Sequence, residues 1–231
     1  MPDLFEIYRS QPGKYDDLVS REDWQGNLLH AVESICPLKG LDVVELGAGT
    51  GRLTRLLVSR ARFVSAFDTS AAMLEVAARF LRGDGRANSS TAVADHRRLP
   101  VPDGSADLVI GGWTVSSIPA AELSVEPGVG QALAEMRRTA RPEGRLILIE
   151  TLGTGWEAPN PPPFLLPYYD YLETHGFRST WIRTDYRFPT WEEARDLTAF
   201  FFGSEPLGAL REAAGGIVLP ECTGLWWRGV D

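Results

Sequence analysis

The feature that most constrains this chain is an alternation. Apolar runs of strand length, "LDVVEL", "FVSAFD", "STAVAD", "ADLVIGG" and "RLILIE", are interleaved with stretches of helical period, "RLTRLLVSR", "SAAMLEVAARFL" and "GQALAEMRRTA". The runs are short and several are rich in β-branched residues, which marks buried strands. The first helical stretch sets Leu53, Leu56 and Leu57 on one face. Strands joined through helices lie parallel, and a parallel sheet must be covered on both faces. At 231 residues the chain has room for one such α/β domain with an elaborated end.

The flanks read differently. "SREDWQGNLLHAVESI" predicts a helix capped by Ser20, with Trp24, Leu28, Val32 and Ile35 recurring at helical spacing. Residues 153–167, "GTGWEAPNPPPFLLP", are expected to be neither helix nor strand. A loop of that length is either a stiff surface connector or the wall of a pocket. Trp156, Phe164, Leu165 and Leu166 are apolar groups in need of cover, which favours the pocket wall; the alternative is that Phe164–Leu166 face a membrane or a partner. Next come a short helix near "YYDYLETHG" and a strand near "FRSTWIRTDYRF". Thr190 and Glu193 form a capping box that opens a further helix. "LPECTGLWWR" reads as the closing strand. The expected organisation is a single domain over 1–231. It has a helical cap (1–39), a ligand-binding core (40–152), a Pro/aromatic insertion that could serve as a lid (153–176) and C-terminal strands and helices (177–231).

Composition excludes several functions. A formal net charge of -8 argues against sequence-independent binding of nucleic acid, which needs a basic face for phosphates. Cys36 and Cys222 are too few for a disulfide framework or a zinc site of their own. His30, His96 and His175 are scattered singly, so no metal site is expected. The N-terminus shows no basic segment followed by an apolar one, and no apolar run approaches the ~20 residues of a membrane span. A cytoplasmic location is the expectation.

Glycines 47, 49 and 51 follow the first strand in "VVELGAGTGRLT". A phosphate-binding loop of the Gly-Lys-Ser/Thr type does not fit, because the only Gly-Lys, Gly13-Lys14, lies elsewhere. A dinucleotide loop needs a third glycine where this chain has Arg52. The spacing is instead Glu-x-Gly-x-Gly-x-Gly, from Glu45 to Gly51.

With this spacing the sequence resembles the class I S-adenosylmethionine-dependent methyltransferases. It is most similar to the small-molecule branch that includes the quinone-biosynthesis methyltransferases. Four segments carry the resemblance, in family order, over residues 40–152. They are the glycine loop, "AFDTSAAML", "VADHRRLPVPDGSADLVI" and "RPEGRLILIE". The resemblance implies a Rossmann-like, doubly wound α/β fold. Its mostly parallel seven-stranded sheet would have an antiparallel C-terminal strand and helices on both faces. It also implies S-adenosylmethionine as the methyl donor and S-adenosylhomocysteine as product. Glu45, Gly47, Ala48, Gly49 and Gly51 would form or order the loop that approaches it. Asp68 and Thr69 would meet the ribose, Met73 the adenine face, and Asp95 and His96 the adenine edge. Gly112 would lie along the methionine portion. Trp113 is either a wall of the transfer site or core packing, and Tyr15 either a contact from the N-terminal cap or a packing aromatic.

The expected activity is in-line transfer of a methyl group to a small, partly hydrophobic acceptor. No Asn/Asp-Pro-Pro-Tyr/Phe follows the fourth strand, a tetrapeptide that marks amine methylation of bases and glutamine in the family. A general base is required only if the nucleophile must lose a proton. His96, Tyr168, Asp170 and His175 are candidates, none of them singled out as catalytic. Two alternatives stay open: a cofactor-binding accessory module without transferase activity, and an NAD-dependent oxidoreductase.

Overall fold

The structure, a computed structural model, describes residues 3–83, 87–117 and 128–230. The alternation becomes a sheet in the expected way. β1 (Asp42–Leu46), β2 (Phe63–Asp68), β3 (Ser89–Val93), β4 (Ala106–Gly112) and β5 (Ala140–Thr154) are all parallel. β6 (Arg178–Arg183) and β10 (Glu221–Gly229) complete seven strands in the order β3-β2-β1-β4-β5-β10-β6. β10 runs antiparallel to both its neighbours. The order reverses between β1 and β4, which opens a crevice at the carboxyl edge.

Helices cover both faces. On one lie α3 (Asn27–Ile35) and α4 (Arg52–Leu57), whose Leu28, Val32, Leu53 and Leu57 pack on Val43, Val64, Leu108 and Ile147. α5 (Ala71–Gly83) adds Leu74 and Leu81 to the same core. On the other face lie α6 (Gly128–Thr139) and α7 (Leu166–Thr174), where Met136, Tyr168 and Leu172 pack on Val109, Leu146 and Leu148. Odd and even residues of β5 thus feed two cores, as strand geometry requires.

The ends depart from expectation in four places. The helix predicted from Ser20 begins at Asn27. Ser20 instead ends α2 (Pro12–Val19), which follows α1 (Leu4–Ser10). The cap is Asp23, whose carboxylate accepts from Asn27 N–H at 2.8 Å and Leu28 N–H at 2.9 Å. "FRSTWIRTDYRF" is two strands rather than one: β6 belongs to the main sheet and β7 (Tyr186–Phe188) to another. "LPECTGLWWR" divides likewise, since Leu219 ends β9 (Gly216–Leu219) and β10 starts at Glu221. Proline has no N–H for a ladder, and Pro220 marks the break. Finally, β5 runs on to Thr154, and the 153–167 stretch includes a short 3₁₀ turn at Pro163–Leu165.

β7, β9 and β8 (Arg211–Ala213) form a second, three-stranded sheet that leaves and rejoins the main one at its carboxyl edge. α8 (Trp191–Phe202) packs on it, starting as expected with Thr190 Oγ1 accepting from Glu193 N–H. Leu18 of α2 is buried among Tyr186, Phe188, Leu197 and Leu219, so the N-terminal helices dock on this small sheet.

Asp23→Ala strips α3 of both its side-chain caps. Denaturant unfolding should show a loss of about 1–2 kcal/mol, while Asp23→Asn loses less.

Candidate functional site

The crevice is built outward from the loop after β1. Gly47 has φ 63°, Gly49 56° and Gly51 90°, the left-handed backbone that glycine adopts without strain. Two of the three glycines are also fixed by what touches them. A Cβ on Gly47 would lie 2.1 Å from Thr114 Oγ1, because the segment after β4 folds tightly onto the loop. A Cβ on Gly51 would lie 3.1 Å from the Ala77 Cβ, so this glycine lets α5 close on α4. The loop is pinned to the end of β2. Ala48 N–H donates to the Phe67 carbonyl at 2.9 Å, and Gly49 N–H to Asp68 Oδ2 at 2.8 Å. The other oxygen of Asp68 accepts from Ser70 N–H at 2.7 Å, turning the chain into α5. Met73, buried on α5, comes to within 3.4 Å of the position of a Gly49 Cβ.

The structure therefore gathers Gly47, Ala48, Gly49, Asp68 and Met73 at one place, with Thr69 exposed beside them. Gly112 and Trp113 form the opposite lip. Trp113 N–H donates to the Ile149 carbonyl at 2.7 Å. Trp113 itself has φ 52°, a strained conformation for a side-chain-bearing residue that costs roughly 1–2 kcal/mol. Its ring lies under the Arg52 guanidinium, 3.3 Å from carbon to ring centre. Arg52 also pairs with the buried Glu22. The residue that replaces a dinucleotide glycine thus ties the cap to the lip of the crevice.

Tyr15 comes from the cap. Its ring lies 5.3 Å from Tyr8 and 5.2 Å from Phe201, and Arg55 pairs with Asp16 at 2.8 Å to hold α2 on α4. Asp95 stands two residues beyond β3, where Ala94 N–H donates to the Asp68 carbonyl at 3.0 Å. Its carboxylate is held by Arg97, through the backbone N–H at 2.8 Å and Nη2 at 2.8 Å, and falls to about 2 in pKa as a result. His96 beside it is half-buried.

Glu45 is buried beneath the loop, and its Oε2 has no hydrogen-bond partner among the described residues. Burial, with Asp68 nearby, pushes its carboxyl up to about 8. Two further buried carboxyls were not foreseen. Glu150 accepts from Ser116 N–H at 3.1 Å and from Tyr168 O–H at 3.2 Å, and burial raises it to about 7. Glu221 accepts from Thr151 Oγ1 at 2.7 Å. Glu150 ends the apolar run "RLILIE", and a charged residue there was a readable signal. Nothing marked Glu221, because its burial comes from the β10 pairing.

Among the four residues considered as bases, Tyr168 is buried in the core and committed to Glu150. His175 stacks on Tyr171 at 3.9 Å, and Asp170 is exposed on α7. In the Pro/aromatic segment Leu165 is buried, whereas Trp156 and Phe164 are exposed. Trp156, Pro159 and Asn160 line a cleft of about 660 Å³ with Leu210 and Pro220. Among the described residues there is no group of three or more potential metal ligands, and no helix is long and apolar enough to cross a membrane.

Residues 44–148, the stretch that holds the loop, Asp68, Asp95 and Trp113, match the family described as "Methyltransferase domain". Over this stretch the chain is similar to methyltransferase domains. The chain is 34% identical over 147 residues to a demethylmenaquinone methyltransferase of Clavibacter sepedonicus, covering 64% of this chain and 56% of that one. It is 30% identical over 146 residues to a malonyl-[acyl-carrier protein] O-methyltransferase of Serratia marcescens, covering 62% and 50%. The match therefore spans about half the length of these curated relatives. The fold of the domain superposes on a SAM-dependent methyltransferase from Aquifex aeolicus with a TM-score of 0.56 and 16% identity, over 99% of this chain and 94% of that one.

Gly47→Ala combines left-handed strain with a clash, and should cost about 2–4 kcal/mol in denaturant unfolding. Adding Thr114→Gly removes the clash and should recover more than half of that loss. Glu45 has its own signature. Its folded pKa lies above the unfolded one, so its contribution is present below about pH 4.5 and is lost as pH rises through about 8. Glu45→Gln should flatten the thermal stability profile between those limits and raise the Tm at pH 8 by a few degrees.

Proposed function

We propose that the protein transfers a methyl group from S-adenosylmethionine to a small, partly hydrophobic acceptor. The observation that carries this reading is the Asp68 carboxylate at the end of β2, fixed against the glycine loop by Gly49 N–H. A carboxylate retains acceptor capacity beyond two N–H bonds and suits ribose hydroxyls. The same charge repels a ribose phosphate, which disfavours NADP. Arg52, turned away to Glu22 and Trp113, offers no third glycine for a pyrophosphate. These residues fit a nucleoside without phosphates.

In this reading Asp68 holds the ribose, Met73 packs on the adenine, and Gly112 and Trp113 border the methionine end. Asp95 would receive the adenine amino group by exchanging its surface pairing with Arg97, an exposed contact worth about 1 kcal/mol or less. When bound, the donor supplies a sulfonium methyl whose leaving group is a neutral thioether. The chain then has no leaving group to protonate. Its task is to hold the acceptor in line and exclude water, and positioning alone can supply roughly 7–11 kcal/mol. The cap, anchored by Arg52–Glu22 and Arg55–Asp16, provides the cover.

Calorimetry with S-adenosylmethionine, S-adenosylhomocysteine and NAD tests this directly. Both adenosyl ligands should bind and NAD should not. Asp68→Ala should weaken S-adenosylmethionine by at least about tenfold, in line with losing charge-assisted hydrogen bonds worth 1.5–3 kcal/mol. Binding of NAD in preference to both adenosyl ligands would overturn the reading.

A further inference from the structure

An open sheet edge presents a row of unpaired N–H and C=O groups, and folded proteins blunt such edges with charge, proline, bulges or cover. Three of the strands that end the two sheets are blunted in this way. β6 carries Arg178 and Arg183, and Asn27 Nδ2 donates to the Arg183 carbonyl at 2.9 Å. β7 lies against the cap, where Arg187 N–H donates to the Arg21 carbonyl at 2.9 Å. β8 is short and holds Arg211 and Glu212. β3 differs from all of them. Its residues, Ser89, Ser90, Thr91, Ala92 and Val93, include no charge and no proline, and its register with β2 runs without a bulge. Among the described residues no strand pairs with its outer side, and Ser90, Ala92 and Val93 are exposed.

Backbone direction fixes what can pair there. Val64 N–H donates to the Asn88 carbonyl at 3.0 Å, and Ala94 N–H to the Asp68 carbonyl at 3.0 Å. Alternate residues of a parallel strand turn to the same neighbour, so Asn88, Ser90, Ala92 and Ala94 face β2. Ser89, Thr91 and Val93 therefore direct their N–H and C=O groups out of the sheet. A second β3, antiparallel about a two-fold axis through Thr91, meets all three. Thr91 pairs with Thr91 of the second copy and Ser89 with Val93 of the second copy, each pair exchanging two N–H···O bonds. The axis stands normal to the sheet, so α5 falls on the same side in both copies.

α5 adds charge complementarity. Ala77 against Gly51, and Phe80 under the Arg55 guanidinium at 4.3 Å, mark the flank of α5 that faces α4. Glu75, Ala78 and Arg82, at helical spacing, lie on the opposite flank, above the open edge. Glu75 and Arg82 are exposed. The axis makes the two α5 helices antiparallel. Glu75 of each copy then faces Arg82 of the other, with the small Ala78 between them.

We propose that the protein is a homodimer joined edge to edge through β3, with the two α5 helices side by side over a sheet continuous across both copies. The contact is isologous, the same patch serving on each subunit. It does not depend on the methyltransferase reading.

Sedimentation velocity of the full chain from about 1 to 100 μM tests this, since the dimer fraction follows mass action. Wild type should sediment as a dimer at the upper end. Thr91→Pro removes an outward N–H, a change an edge strand tolerates, and should leave a folded monomer. Glu75→Arg and Arg82→Glu should each weaken the dimer about tenfold or more, and the double variant should recover it, because the axis pairs the two positions. With Cys36 replaced by Ser, Thr91→Cys should cross-link to itself on mild oxidation, its Cα about 5.5 Å from its own copy. Val93→Cys, more exposed but away from the axis, should cross-link far more slowly. A monomeric wild type, or a dimer that Thr91→Pro leaves unchanged, would overturn the proposal. If Thr91→Pro does not fold, the charge swap decides: no weakening in the single variants, or no recovery in the double, overturns it. Cross-linking of Val93→Cys as fast as Thr91→Cys would overturn the register and with it the edge pairing.

Discussion

Everything at the carboxyl edge is organised around the two hydrogen bonds that Asp68 accepts. Its Oδ2 holds Gly49 N–H and its Oδ1 holds Ser70 N–H, so one carboxylate fixes both the loop after β1 and the turn into α5. Without it, the left-handed loop would have no charged partner, and the two strand ends would be tied only by Ala48 N–H to the Phe67 carbonyl. In the proposed function the same carboxylate would meet the ribose, so that one side chain would combine structural and ligand-binding duties. The loop is ordered before any ligand arrives, which reduces the ordering cost of binding.

Arg52 does for the N-terminal cap what Asp68 does for the loop. It reaches from the start of α4 to Glu22 in the cap and stacks on Trp113 at the end of β4. Breaking a buried pair by removing one partner costs about 3–5 kcal/mol, so the cap is part of the folded domain rather than an appendage. Glu45, Glu150 and Glu221 are buried and held at raised pKa by lack of water. Each leaves one carboxyl oxygen without a partner among the described residues.

Much of the core was legible in the chain. β1, β2, β4 and β5 read out correctly because a strand buried on both faces must be apolar throughout, and the helices between them because one face must be apolar. The loop residues were legible for a different reason: Gly47, Gly49 and Gly51 sit where a side chain would be strained or would collide. Ser20 misled because a serine before an apolar pattern suits a helix start. Asp23 won because its carboxylate reaches two N–H groups at once. The strand near "FRSTWIRTDYRF" could not be divided from sequence, since Thr184–Asp185 carries no glycine or proline to mark the sheet change.

The sequence by itself determined the parallel sheet, the glycine loop and the acid at the end of β2. These depend on periodicity and on backbone conformations that few residues tolerate, and both are local properties. Tertiary structure alone decided that Arg52 would meet Glu22 and Trp113, that Thr114 would close on Gly47, and that Glu221 would be buried beside Thr151. Each of those contacts joins segments far apart in the chain. Burial and pKa follow from such packing, so a carboxylate's chemical role is fixed only once the sheet has brought its neighbours to it.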